Sequence, residues 1–302
     1  MTAAHTQTPL PERNCFASAP WIATLLAVKA LAQQPVSLWK SYVDSSAGRV
    51  LRFFSTLQEL GAFAVITLGV TITKFNQSKR VVHPLIVHHI WKAGVNLLPM
   101  VGFVGVALGL LIIGQTVALL SRVGALEYIG TVMVTVVVRE LGPLLTAILV
   151  LARSGTSNAV DLGTARALGE VEALESLGID PVHYLVMPRV IGLAISVFCL
   201  TTYLVLLAMV SGWVFAFAQD IPLTPAAYFG QIGDALRVQD FVFLALKTGL
   251  FGIVIAVVNC YHGLARPLQI EEVSSVTTRA VVESVIGCVL IDALFLIGYL
   301  VV

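Results

Sequence analysis

The sequence predicts an all-α integral membrane protein: five transmembrane helices, an interfacial helix before them, and a short helix in the loop between spans two and three. Three observations predict it. The chain is 58% hydrophobic and only 12% charged, about half the charge fraction of a soluble domain. Five apolar runs are each long enough to cross a bilayer, which takes ~20 helical residues. Lysine and arginine crowd to one side of those runs.

The runs are Leu97–Leu120, Tyr128–Ala152, Val190–Ala218, Phe241–Leu264 and Ala280–Val302. Ahead of them, Ala47–Phe75 holds the apolar stretch "LGAFAVITLGVTIT" between Arg49, Arg52, Lys74, Lys79 and Arg80. It is short for a span, and basic flanks suit a helix lying at the headgroups. The expected organisation is an extension over 1–45, an interfacial amphipathic helix with its connector over 46–92, and a membrane domain over 93–302. His83, His88 and His89 fall beside Lys79, Arg80 and Lys92 in what reads as a solvated or headgroup-facing basic segment. Nine Lys/Arg lie in residues 1–92, and Arg153, Arg166, Arg189, Arg266 and Arg279 follow on the same side if five spans alternate. The N-terminus and the loop Arg153–Arg189 are therefore expected in the cytoplasm and the C-terminus outside. A net charge of +1 gives no nucleic-acid signal. The four cysteines are scattered, without metal-ligand or disulfide spacing, and no metal or cofactor is expected.

The second run carries an anomaly. In "VVVRELGPLLTAILVLARSG" (Val136–Gly155), Arg139 and Glu140 stand mid-span, where charge costs several kcal/mol and marks function by default. Neighbours on a helix point ~100° apart, so each needs a different partner. Pro143 has no N–H, and the carbonyl it deprives is that of Arg139. Charge, bend and free backbone then coincide, which suits a polar cavity wall. Other ionisable groups in the runs are Lys247, Glu283 and Asp292. At 1.5 Å per residue, Lys247 lies ~9 Å and Asp292 ~15 Å from the outer side. They are expected to pair between spans four and five, while Glu283 reaches headgroups or water at the inner end. Gly105 and Gly109 form a G-x-x-x-G for close helix packing, either at a dimer seam or within the chain.

The inner loop holds a helical pattern over Val160–Leu177. Val160, Leu168, Val171, Leu174 and Leu177 recur at helical spacing, with Asp161, Arg166, Glu170, Glu172 and Glu175 on other faces. Gly178 caps it and Asp180-Pro181 ends it. An acid-rich face suits a protein partner better than an anionic leaflet.

"RELGPLLTAILVLARSG", "DLGTARALGEVEALESLGIDPVHYLVMPR" and "TTRAVV" (Thr277–Val282), in that order, resemble the MlaE/YrbE-type permeases of ABC lipid transporters that work with MCE-domain proteins. The resemblance covers about residues 85–302, with departures at "ARSGTS" (Ala152–Ser157) and at Glu283. It implies a homodimer in the cell inner membrane, an ABC ATPase subunit docked on the loop helix, and an MCE-domain periplasmic protein on the outer face. Phospholipid would cross a cavity between the two copies, with headgroups meeting Arg139, Glu140 and Lys247. The residues implied in ATPase coupling are Asp161, Arg166, Glu170, Glu172, Leu174, Glu175 and Leu177. The sequence contains no Gly-Lys dipeptide and hence no P-loop, so the chain is expected to be a transport subunit and not an enzyme, with hydrolysis done elsewhere. Two other readings of the residues are a secondary transporter using the buried carboxylates and a structural membrane scaffold.

Overall fold

A computed structural model describes residues 47–74, 79–218, 224–264 and 269–301. The extension over 1–45 lies outside the described residues. The chain divides into two compact units, up to Val65 and from Ile66 onward. Helix α1 spans Ala47–Lys74. Its apolar part, Gln58–Thr71, is shorter than the ~20 residues of a span.

From Ile66 onward the described elements are helical: α2 (Lys79–Ala93), α3 (Leu98–Val123), α4 (Ile129–Met133), α5 (Gly142–Val150), α6 (Thr156–Ala167), α7 (Glu170–Ser176), α8 (Met187–Ala218), α9 (Pro225–Ala235), α10 (Val238–Leu264) and α11 (Val273–Val301). Five stretches are long and apolar enough to cross a membrane: Val82–Val123, Ile129–Ala167, Val182–Ala218, Val238–Leu264 and Ile270–Tyr299. Each begins or ends beyond its apolar run in the sequence, because polar residues extend the helices past their greasy centres.

Helix ends follow local chemistry. α3 starts with Pro99 in its first turn and stops at Gly124, whose φ of 74° closes a left-handed cap. Thr224 caps α9 by accepting from the Ala227 N–H at 3.3 Å. The single loop helix expected over Val160–Leu177 is instead two pieces. Its first half is α6, the direct continuation of the second span; the chain then breaks at Gly169, φ 76°, and α7 begins. A left-handed φ ends a right-handed helix, and periodicity carried across the break gave no sign of it. Gly178, at φ 77°, closes α7 as expected.

The third span is the hub. α8 packs along α3 on one side and α10 on another, and α10 in turn holds α11 and α6. Ile113, Met133, Leu193, Leu200 and Phe251 fill the centre, each at most 2% exposed. Close approach comes from glycine. A Cβ at Gly105 would stand 3.0 Å from the Leu204 carbonyl oxygen, and one at Gly109 would collide with Ala208 and Ser211. The Ser211 hydroxyl then donates across the seam to the Val106 carbonyl at 3.2 Å. The G-x-x-x-G is thus an internal seam between spans one and three. The fifth span is the least enclosed, with 17% of its apolar window buried against 50% for the second, third and fourth, so most of its surface is left for lipid or another chain.

Gly109→Leu is expected to destabilise the protein by about 1–3 kcal/mol or more through overpacking. Gly233→Ala, where a Cβ meets nothing within 4 Å, is expected to be neutral or stabilising by up to ~1 kcal/mol. Thermal unfolding of both variants in mild detergent checks the contrast.

Candidate functional site

The second span is not a regular helix where it carries its charges. Val134–Leu141 is wound as a π-helix, and a second π turn follows at Leu151–Gly155. Such wide turns recur at functional sites. Gly142, the first residue of α5, donates to the Val137 carbonyl across the π turn. Its missing side chain lets the helix lie against Val205 of α8, 2.9 Å from where a Cβ would be.

Arg139 and Glu140 have no bond to each other and both engage the fourth span. Arg139 pairs with Asp240, Nη2 donating to Oδ2 at 3.1 Å and Nε lying 2.9 Å from Oδ1. Asp240 Oδ2 also accepts the Arg237 backbone N–H at 3.0 Å, so the acid caps the positive end of α10. Glu140 Oε2 lies 3.4 Å from Lys247 Nζ. Asp240 and Lys247 are seven residues apart, two turns along one face, ~10.5 Å along the axis. The adjacent Arg-Glu pair therefore splits between an acid and a base on the same neighbour.

Lys247 is the centre. Only 1% exposed, its ammonium lies 2.6 Å from Asp292 Oδ1 on the fifth span, the pair that matching depths suggested. It also donates to the backbone carbonyl of Arg139 at 2.8 Å. That is the carbonyl that Pro143 leaves without a helical partner, and a lysine from another span takes it. An aromatic group from the fifth span closes one side: the Arg139 guanidinium lies 5.3 Å from the Tyr299 ring centre, and Tyr299 meets Phe243 edge to face. Two cations thus face three carboxylates (Asp240, Glu140 and Asp292). Arg139 and Glu140 are about a quarter exposed, whereas Lys247 and Asp240 are sealed.

Asp240 is the member that sequence reasoning missed. It falls one residue before the apolar run Phe241–Leu264 and reads as loop. The available signal was its place in the first turn of that helix, seven residues before the buried lysine. Glu283 meets His262 of α10, Oε2 to Nε2 at 2.7 Å, next to an Asn259–Ser284 contact at 3.3 Å. Gly105 and Gly109 lie at the seam already described, away from these charges.

At the opposite end of the second span, Arg166 of α6 reaches across the Gly169 break to Glu172 at 3.3 Å and Glu175 at 3.8 Å on α7. Asp161 pairs with Lys92 of α2 at 2.6 Å. The expected apolar stripe is largely uncovered: Leu168 is 60% and Leu177 74% exposed, with Ile179 at 40%, while Val171 alone is sealed at 2%. Glu170 is exposed and Leu174 half-buried.

A multi-span, all-helical chain with a paired charge network in its interior and an uncovered helix between two spans has the build of a transport permease. The chain belongs to the MlaE permease family, whose profile matches residues 86–297. It is 29% identical over 80% of its length to a probable ABC transporter permease protein of Rickettsia felis, covering 91% of that protein. It is 32% identical over 66% of its length to one of Rickettsia conorii, covering 77% of it. The chloroplastic Arabidopsis thaliana protein TRIGALACTOSYLDIACYLGLYCEROL 1 is 33% identical over 63% of the chain and 53% of that protein. The chain is accordingly a multi-pass ABC transporter permease.

Lys247→Ala is expected to lower stability by about 3–5 kcal/mol, the cost of stranding buried charges. The double variant Lys247→Met with Asp292→Leu is expected to recover a large part of that loss. Denaturant titration of both in detergent, followed by tryptophan fluorescence, measures the difference.

Proposed function

We propose that this permease moves phospholipid between the cell inner membrane and a periplasmic MCE-domain protein. It would act as a homodimer powered by a separate ABC ATPase subunit. The observation that carries the reading is the continuity of the second span. Ile129–Ala167 is one 39-residue helical stretch with Arg139 and Glu140 on one half and α6 on the other. Arg166 then clips α7 to its end. A push on α7 by a partner is delivered along a single rod to the charge network.

Each part has a role in this reading. Leu168, Leu177 and Ile179 give an ATPase an apolar footing, and Glu170, Glu172 and Glu175 surround it with acid. Asp161 ties the rod to α2 through Lys92, and Leu174 braces α7 from within. A lipid headgroup would meet the exposed sides of Arg139 and Glu140, since the Lys247 ammonium is sealed. Acyl chains would lie on the apolar surface that the fifth span leaves uncovered, or a second copy would cover it. Lys247, Asp292 and Pro143 hold the polar wall in shape, and the Glu283–His262 pair fastens spans four and five nearer the cytoplasmic side. The Lys/Arg distribution supports a cytoplasmic N-terminus and a periplasmic C-terminus.

Two measurements test this. In proteoliposomes holding permease, ATPase and MCE protein, Arg139→Gln with Glu140→Gln is expected to cut lipid transfer at least ~10-fold, about 1.4 kcal/mol or more in barrier terms. Full transfer by an assembled complex bearing both changes refutes the cavity role. Leu177→Glu with Leu168→Glu is expected to abolish co-purification of the ATPase while the thermal midpoint of the permease stays put.

A further inference from the structure

The charge network does not balance. Arg139 and Lys247 face Asp240, Glu140 and Asp292, two cations against three carboxylates. Asp240 answers Arg139 and the Arg237 backbone N–H, and that pair is locally neutral. The other three groups share one ammonium. Lys247 Nζ stands 2.6 Å from Asp292 Oδ1 but 3.4 Å from Glu140 Oε2. Attraction falls with separation at any dielectric, so the nearer acid takes the larger part of the lysine's charge. The excess negative charge therefore rests on Glu140.

Glu140 is also the most accessible of the three acids. Its side chain is 27% exposed, against 18% for Asp292 and 3% for Asp240. Its Oε1 accepts no hydrogen bond among the described residues; only Oε2 meets the lysine. Arg139, the preceding residue, is 25% exposed. Its Nη2 donates to Asp240, while Nη1 donates no hydrogen bond among the described residues. An under-paired acceptor and an unused donor thus stand on consecutive residues of one π turn.

That combination discriminates between headgroups. A purely anionic headgroup answers Arg139 but is repelled by Glu140 and leaves it unpaired; recognition built this way excludes as well as attracts. A quaternary ammonium carries the charge but has no N–H to give a carboxylate. Aromatic faces can hold such a cation instead, but the Tyr299 ring is already faced by the Arg139 guanidinium at 5.3 Å. A primary ammonium brings three N–H donors. We infer that the Arg139–Glu140 wall selects zwitterionic lipids with a primary ammonium, the phosphoethanolamine headgroup: its phosphate on Arg139 Nη1, its ammonium on Glu140 Oε1. The inference rests on the lipid path proposed above and names the headgroup class that path favours. Lys247 and Asp292 act as positioning residues: by holding most of one positive charge between themselves, they leave Glu140 short of a partner.

The test is ligand-dependent thermal unfolding of the full-length, delipidated protein in a neutral maltoside detergent at neutral pH. Dihexanoyl phosphatidylethanolamine, phosphatidylcholine and phosphatidylglycerol are titrated separately, with ethanolamine chloride as the free amine. All three lipids are expected to give a saturable rise in the unfolding midpoint. The titration midpoint for phosphatidylethanolamine is expected at least ~10-fold below the other two, as one added hydrogen bond to a charged group allows. E140Q is expected to erase that preference, and E140D to keep phosphatidylethanolamine first. If E140Q does not fold, the ranking in the unmodified chain decides alone. Equal midpoints for the three lipids overturn the inference and leave the lipid path standing; no saturable rise with any of them overturns both. A rise with ethanolamine alone that matches the lipid's overturns the headgroup assignment, as does a preference that survives in folded E140Q.

Discussion

The ammonium of Lys247 is the interaction on which the rest of the membrane interior depends. A lone ammonium in that environment would cost far more than the fold could absorb. Three acceptors make it tolerable, and each belongs to a different structural decision. Asp292 brings in the fifth span and Glu140 the second. The Arg139 carbonyl is available only because Pro143 lacks an N–H. Proline, lysine and aspartate on three separate spans are therefore one device. Removing Pro143 alone would return the carbonyl to the helix and take a partner from the lysine.

That device works only if the spans come close in the right order, and small residues set the spacing. Gly109 lets the first span sink onto Ala208 and Ser211 of the third. Gly252 lets the fourth approach Ala194 on another side of the same helix. Gly142 places the second span against Val205. With apolar Val137, Val138 and Gly142 directed inward, the intervening Arg139 and Glu140 are turned toward the fourth span. The geometry of the charges is thus fixed by contacts that carry no charge.

Reading the residues alone recovers the span count, the awkwardness of Arg139 beside Glu140, and the depth match of Lys247 with Asp292, because hydropathy and rise per residue are local properties. It misses Asp240, because a carboxylate at the edge of an apolar run reads as loop until the arginine that needs it is seen ten residues into a neighbouring helix. It joins α6 to α7, because a left-handed glycine leaves hydrophobic periodicity nearly in phase. It does not foresee the Glu283–His262 contact, because His262 belongs to another span and only packing brings the two together. The π turns are invisible for a related reason: they follow from how the second span must fit against α8 and α10, not from any residue preference.

Those π turns bear on how the charge network and α7 communicate. A π turn stores one residue more than an α turn, so converting one to the other rotates everything beyond it by ~100°. The second span has two, one containing Arg139 and Glu140 and the other at Leu151–Gly155, at the root of α6. The first is held in register from outside the helix, by the Asp240 ion pair and by Lys247 on the backbone itself. The second, which contains Ser154, rests on packing, with Gly155 against Asn259 and Ile255 of α10, and Thr156 Oγ1 donates back to the Ala152 carbonyl at 2.7 Å. The two turns are therefore fixed by different means: charge from other spans at Arg139 and Glu140, packing and a local side-chain bond at the root of α6.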